Sequence, residues 1–128
     1  MAPGAQHVLS VFIQLRCKVE ALSLIPAGMD ECWLDVTSGN AGYSSPRQIA
    51  EEIRAATREE LGLTVSIGVS FNKIFAKLGS DLKKPDAITE ITREKFKEKI
   101  WPLAADEMIY CGPQTMKKAC PVRYSYDW

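Results

Sequence analysis

Histidine and closely spaced cysteines are scarce in this chain of 128 residues, and this scarcity narrows the chemistry that it can carry. The single histidine is His7, and the four cysteines, Cys17, Cys32, Cys111 and Cys120, are never spaced as C-x-x-C. Zinc sites depend on such spacing or on histidine partners, so no zinc site is expected. Reduced thiols and a cytoplasmic location are the expectation that follows.

An excess of either charge and a long apolar run are missing as well. Lys plus Arg and Asp plus Glu number 16 each, so no global basic field draws the chain to a polyanion. Residues 8–15 are apolar but too short for a membrane span, and they lack the flanks of a signal peptide. With 46% hydrophobic residues, the chain is expected to form one compact domain.

The most informative stretch that is present lies at residues 64–87. It begins with an alternation of apolar and small or polar residues, the period of a half-buried strand. Ser70 is then placed to cap a helix that carries Lys73 and Lys77 on one face. Lys84 follows at the helix exit, where the next residue, a proline, prevents helical geometry. Such a row of cations suits a triphosphate or a nucleic-acid backbone, although lysines on a helix most often only face solvent.

A second segment, residues 28–37, reads as a strand-like run with Asp30 and Glu31 side by side. Adjacent carboxylates at a strand edge repel each other, and a hard cation such as Mg²⁺ would relieve the repulsion. A lone Asp-Glu pair is more often a turn or a surface edge. The occurrence of both segments in this order favours a shared site.

Together the two segments resemble the palm of Y-family translesion DNA polymerases, particularly the bacterial polymerase IV branch. That family has a Ser-hydrophobic-Asp-Glu-aromatic-Leu-Asp motif, followed by a Ser-Ile-Gly strand, an Asn-Lys helix, an Ala-Lys pair and a Lys-Pro turn. The similarity covers roughly residues 28–118, and the segment at 112–115 looks like the entry to the family's thumb. The matching residues are Asp30, Glu31, Trp33, Leu34, Asp35, Ser66, Ile67, Gly68, Asn72, Lys73, Ala76, Lys77, Asp81, Lys84, Pro85 and Asp86.

The resemblance implies an α+β fold of the ferredoxin-like split-βαβ type, with a mixed or antiparallel sheet and helices on one face. It divides the chain into a divergent N-terminal segment at 1–27, a palm core at 28–110 and the start of a thumb at 111–128. The sheet face with the acidic pair would be exposed. Met29, Trp33 and Leu34 near that face then predict an apolar patch that invites self-association.

The resemblance also implies roles for individual residues. Asp30 would bind the catalytic Mg²⁺ ions, and Glu31 would bind metal or assist the primer terminus. Lys84 would contact the triphosphate of the incoming nucleotide, with Lys73 and Lys77 as supports of the same basic edge. The partners in the intact family are primer-template DNA and a deoxynucleoside triphosphate. Phosphoryl transfer of this kind needs positioning and two metals, and no covalent nucleophile.

The departures from the family are as informative. The first metal ligand of the family is an aspartate in a His-Val-Asp-Met-Asp-like run, where this chain has Leu9 and Ser10. Too few residues precede Asp30 to hold the family's fingers, and the chain stops before a C-terminal DNA-binding domain. We therefore expect a weak or incomplete Mg²⁺ site, little or no catalysis by the chain alone, and weak, salt-sensitive DNA binding.

Three functions are compatible with these patterns. The first is a palm fragment of an error-prone translesion polymerase, and the second is a non-catalytic module derived from one that binds DNA or docks a partner. The third, a palm-related cyclase, is disfavoured by the Lys-Pro turn and the Gly-Pro-Gln-Thr segment.

Local signals predict the scaffold. Ser45 and Gly62 are expected to begin and end a helix, and residues 88–91 a strand. The predicted buried residues of the helices are Ile49, Ile53, Ala56, Leu61, Phe96 and Ile100.

Overall fold

A computed structural model gives the fold, and it describes residues 8–11, 23–26, 30–37 and 45–119. Its five strands are β1 (Val8–Val11), β2 (Ser23–Pro26), β3 (Cys32–Asp35), β4 (Ile67–Ser70) and β5 (Ile88–Ile91). Its helices are α1 (Pro46–Leu61), α2 (Lys73–Leu82), α3 (Phe96–Ile100) and α4 (Pro113–Ala119), with a 3₁₀ turn at Ala105–Glu107.

The strands form one mixed sheet in the order β2-β3-β1-β4-β5. The strand β1 lies between β3 and β4 and is antiparallel to both, and β2 is antiparallel to β3. The last pair, β4 and β5, is parallel, and α2 forms the connection between its strands. The predicted α+β class with a mixed sheet is confirmed.

Caps define α1 as the sequence predicts. The side chain of Ser45 accepts a hydrogen bond from the backbone N–H of Gln48 at 3.3 Å, and Gly62 ends the helix at a φ of 66°. The predicted inner positions Ile49 and Ile53 are buried. The sequence prediction was wrong for Ala56 and Leu61, which are exposed; the buried face instead continues through Ala50 and Thr57.

The start of α2 differs from the prediction. Asn72, not Ser70, caps this helix, and its side chain accepts a hydrogen bond from the backbone N–H of Phe75 at 2.8 Å. Ser70 is still part of β4, where its hydroxyl donates to the backbone oxygen of Ile91 at 2.8 Å. The strand therefore extends to the position that the sequence suggested for the cap.

The strand β4 is buried on both faces, not half-buried as the alternation predicts. Ile67 and Val69 pack in the cluster that contains Ile49 and Ile53 of α1. Gly68 points to the other face, where a Cβ atom would lie 1.8 Å from the backbone oxygen of Ala76 in α2. The two long helices thus cover opposite faces of the sheet, whereas the sequence analysis placed the helices on one face.

The predicted apolar patch on an open sheet face is wrong for two of its three residues. Trp33 is 8% exposed and packs against Ala76 of α2, and Leu34 is fully buried in the cluster beneath α1. Self-association through Trp33 and Leu34 is therefore not expected, because α2 covers the sheet face that carries Trp33 and α1 covers the face that carries Leu34. Met29 lies outside the described residues.

Several other predictions also fall outside the described residues. They concern His7, the thiols of Cys17 and Cys120 and most of the apolar segment 8–15. Of the other two cysteines, Cys32 is buried and Cys111 is half-buried.

Candidate metal and phosphate site

The acidic pair lies directly before β3. Asp30 is exposed, and Glu31 is half-buried at the entry to the strand. The Nζ atom of Lys77, which comes from α2, donates a hydrogen bond to Oε1 of Glu31 at 2.6 Å. Because the strand and the helix are adjacent, two segments that are 46 residues apart in the sequence meet at one point. The structure thus brings together one predicted metal ligand and one predicted supporting lysine.

The contact belongs to a connected set of four charged residues, which we call the acidic–basic network: Glu31, Lys77, Asp81 and Lys84. Lys77 also lies 3.0 Å from Oδ2 of Asp81, and Lys84 lies 2.8 Å from Oδ1 of the same carboxylate. The side chains of Glu31 and Lys77 are only 18% and 14% exposed. Two cations and two carboxylates balance, so the predicted row of lysines is largely neutralised by acidic neighbours.

The network shifts the pKa values of Lys77 and Asp81. Burial lowers the pKa of Lys77, but the hydrogen bonds to Glu31 and Asp81 outweigh it, so the pKa lies above the usual 10.5. Burial raises the pKa of Asp81, but hydrogen bonds from Lys84 and Lys77 prevail and hold it below the usual 3.8. Lys77 and Asp81 are therefore both expected to be charged at neutral pH.

These shifts predict how stability depends on pH. The contribution of Asp81 is complete above its unfolded pKa of 3.8 and is lost as the pH falls through the lower folded pKa. The contribution of Lys77 is complete below 10.5 and is lost as the pH rises through the higher folded pKa. Urea unfolding should give a plateau between these limits, and Asp81→Asn should flatten the acidic side of the profile. The exposed Asp106→Asn is the control, and an equal flattening by it would contradict the assignment.

Lys73 does not join the network. Its Nζ atom lies 5.7 Å from the centre of the Trp33 ring, and its backbone oxygen accepts a hydrogen bond from Nε1 of Trp33 at 3.1 Å. Both residues line a cleft of about 510 Å³ that also includes Asp35, Asn72 and Tyr110. Sequence reasoning missed this cleft, because Tyr110 comes from a distant segment.

Asp35, the last residue of β3, is held by its neighbour and not by the network. The hydroxyl and the backbone N–H of Thr37 both donate to Oδ1 of Asp35. These two hydrogen bonds hold the pKa of Asp35 below its usual range, and the bond from the hydroxyl has the larger effect on the pKa. The carboxylate thus supports the turn after β3 and does not extend the acidic pair.

The described residues do not fit a two-metal centre. Within the described residues, no group of three or more acidic, histidine or cysteine side chains is close enough to share a metal ion. Leu9, where the related motif has an aspartate, is paired with Leu34 in the sheet. Leu9 therefore adds no carboxylate to the acidic pair, and Glu31 already has the ammonium group of Lys77 beside it.

The fold resembles that of solved DNA polymerases. The insertion ternary complex of Dbh DNA polymerase matches with a TM-score of 0.68 and 27% identity, over 79% of this chain and 30% of that chain. The crystal structure of DinB from Sulfolobus solfataricus matches with a TM-score of 0.66, again at 27% identity over 79% and 30%. The described part of the chain has the fold of a section of a Y-family DNA polymerase.

Curated sequences agree with this class. DNA polymerase IV of Acetivibrio thermocellus is 56% identical over 91 residues, which are 71% of this chain and 23% of that protein. DNA polymerase IV of Clostridium acetobutylicum is 38% identical over 90 residues, 70% of this chain and 22% of that protein. The model of the impB/mucB/samB family matches residues 7–81, and the chain belongs to this family. It spans about a quarter of the length of these polymerases.

Among the described residues, no helix combines the length and the apolar character that crossing a membrane requires.

Proposed function

We propose that this chain acts as a palm section of a Y-family translesion DNA polymerase, in which the acidic–basic network lies where the intact enzymes gather metal, triphosphate and primer. The chain carries the phosphate-side residues of such a palm but no complete metal site. On its own it is catalytically silent. Its setting is the cytoplasm, and its partners in the intact context are primer-template DNA and a deoxynucleoside triphosphate.

One observation carries the proposal: Lys77 holds Glu31 at 2.6 Å on the face where Asp30 is exposed. Asp30 and Glu31 are the proposed metal ligands, and a metal that used both would have to displace this lysine. A partly buried ion pair in good geometry resists such displacement, because its partner would be left unpaired. Divalent cations are therefore held weakly by Asp30, with Glu31 as a second ligand only after exchange.

Lys84 is the proposed triphosphate contact. It lies at the end of the network, and its side chain is 49% exposed. Its ammonium group can therefore contact an anion while it remains paired with Asp81. Lys77 and Lys73 are supports in this proposal, since one is paired with carboxylates and the other lies over an aromatic ring. A single exposed lysine gives weak binding that falls with salt.

Titration of the chain with deoxyadenosine triphosphate, followed by amide NMR, tests this role. We expect small shifts around Lys84 that disappear in Lys84→Gln and persist in Lys117→Gln, a lysine of α4. A primer-extension assay with the same samples should show no product. Shifts that survive in Lys84→Gln would reject the triphosphate role, and extension by the chain alone would reject the absence of catalysis.

The alternative is a non-catalytic module that binds DNA or docks a partner. The two lysines of the network are already matched by carboxylates. This neutrality argues against an active enzyme, and a non-catalytic module needs no free cations for catalysis. Filter binding to a primer-template duplex at several salt concentrations separates the two readings. A module that recognises DNA would keep its affinity without nucleotide or metal.

A further inference from the structure

A second charged region lies at the other end of the sheet, beside the edge strand β5. A cavity of about 350 Å³, which we call the β5 cavity, opens there. It shares no residue with the acidic–basic network. The residues of its lining that matter here are four cations, one carboxylate and one hydroxyl: Arg47, Lys83, Lys95, Lys99, Glu90 and Thr89.

The cations reach the β5 cavity from three different helices. Arg47 lies in the first turn of α1, Lys83 follows the last residue of α2, and Lys95 and Lys99 lie at the start and within α3. The chain has no net charge, but cations that converge from separate elements create a local positive potential at this cavity. The fold, not the composition, produces this concentration of charge.

Only part of this charge is neutralised. Arg47 pairs with Glu51 at 3.1 Å and lies 4.0 Å from Glu90. Lys99 donates to the backbone oxygen of Glu90 at 2.6 Å, a contact that positions the ammonium group without cancelling its charge. Within the described residues, neither Lys83 nor Lys95 has a carboxylate in ion-pair distance. The cavity therefore keeps an excess of positive charge.

Thr89 supplies an independent indication that a ligand belongs here. The residue is 8% exposed, and its hydroxyl oxygen is buried without a hydrogen-bond partner among the described residues. Native structures rarely leave a buried hydroxyl unpaired, because the loss of hydration is not repaid. Thr89 lines a cavity with excess positive charge, so we assign an oxyanion bound there as the acceptor for this hydroxyl.

We propose that the β5 cavity binds a phosphate-bearing anion, with Lys83, Lys95 and Lys99 as its cations and the hydroxyl of Thr89 as a hydrogen-bond donor. Phosphate oxygens pair with the point charge of a lysine ammonium group, and they accept a hydrogen bond from a hydroxyl. The volume exceeds that of one phosphate group, so a diphosphate or a short stretch of phosphodiester backbone fits the same chemistry. This site is separate from the triphosphate contact proposed for Lys84.

Amide NMR with sodium pyrophosphate tests the proposal in the whole chain. Saturable shifts are expected at residues 89–99, with affinity about tenfold lower in Lys95→Gln/Lys99→Gln. Thr89→Val should also weaken binding, and Thr89→Ser should keep it. The matched control is Lys117→Gln/Lys118→Gln, which removes the same charge from α4 and should leave the affinity unchanged.

A parallel titration with a single-stranded oligothymidylate identifies the source of the phosphate. Shifts at residues 89–99 with both probes assign the cavity to a phosphodiester backbone, and shifts with pyrophosphate alone assign it to a diphosphate. Unchanged affinity in Lys95→Gln/Lys99→Gln, or an equal loss in the α4 control, would overturn the proposal. The cations would then only guard an exposed strand edge.

Discussion

Gly68→Ala should lower the free energy of unfolding by about 3–5 kcal/mol, enough to leave much of the chain unfolded. A Cβ atom at this position would lie 1.8 Å from the backbone oxygen of Ala76 and 2.6 Å from the backbone nitrogen of Ser80. Both are backbone atoms of α2, so no side-chain rotation relieves the clash. The helix would have to lift from β4, and the burial of Ala76 and Leu78 would be lost with it.

Equilibrium urea unfolding, followed by circular dichroism, measures this change. Gly112→Ala is the matched control, because a Cβ atom there meets no atom within 4 Å, and its effect should stay within about 0.5 kcal/mol. If Gly68→Ala were as stable as the control, the close contact between α2 and β4 would be wrong. The placement of Lys77 beside Glu31 would be in doubt as well, because it depends on that contact.

Lys77→Met should raise the affinity for Mn²⁺ at the acidic pair by about tenfold, which corresponds to about 1.4 kcal/mol. The substitution keeps an unbranched chain of similar length but removes the ammonium group that lies 2.6 Å from Glu31. Glu31 is then a half-buried carboxylate without this cation, and a divalent ion restores the balance of charge. Without metal, the variant should be less stable than the parent chain by about 1–3 kcal/mol.

Lys73→Met provides the control for this experiment. It removes the same charge from the same helix, one turn earlier, but Lys73 lies over the ring of Trp33 and not at Glu31. Its effect on Mn²⁺ affinity is limited to screened, long-range attraction and should be less than about threefold. Equal gains in both variants would show that general charge, and not the direct pairing of Lys77 with Glu31, controls metal binding.

The parts of the fold that the sequence predicts correctly are those with local causes. The Ser45 cap, the Gly62 stop and the strand at Ile88–Ile91 depend on residues within a few positions, and all three are found. The burial of β4 was misread because alternation in hydrophobicity does not report size. Gly68 is small enough for α2 to pack directly against it, so the sheet face that the alternation predicted to be exposed is covered.

The candidate site shows the same division. The sequence analysis interpreted Lys77 and Lys84 as an open row of cations, although their spacing of four and three residues from Asp81 allows the pairing that the structure shows. The contact from Glu31 to Lys77 is not readable, because it depends on how β3 lies beside α2. The register of β1 was also not predictable, because four residues of strand do not reveal that Leu9 pairs with Leu34.

The central claim is that Lys77 pairs with Glu31 of the acidic pair, and that this palm section therefore has no catalytic metal centre. Manganese-induced broadening of amide NMR signals, compared between the parent chain and Asp30→Ala/Glu31→Ala, tests it most directly. The account predicts broadening around residues 30 and 31 that develops only at millimolar Mn²⁺ and is absent from the double variant. Strong broadening at micromolar Mn²⁺, with two ions bound per chain, would contradict it.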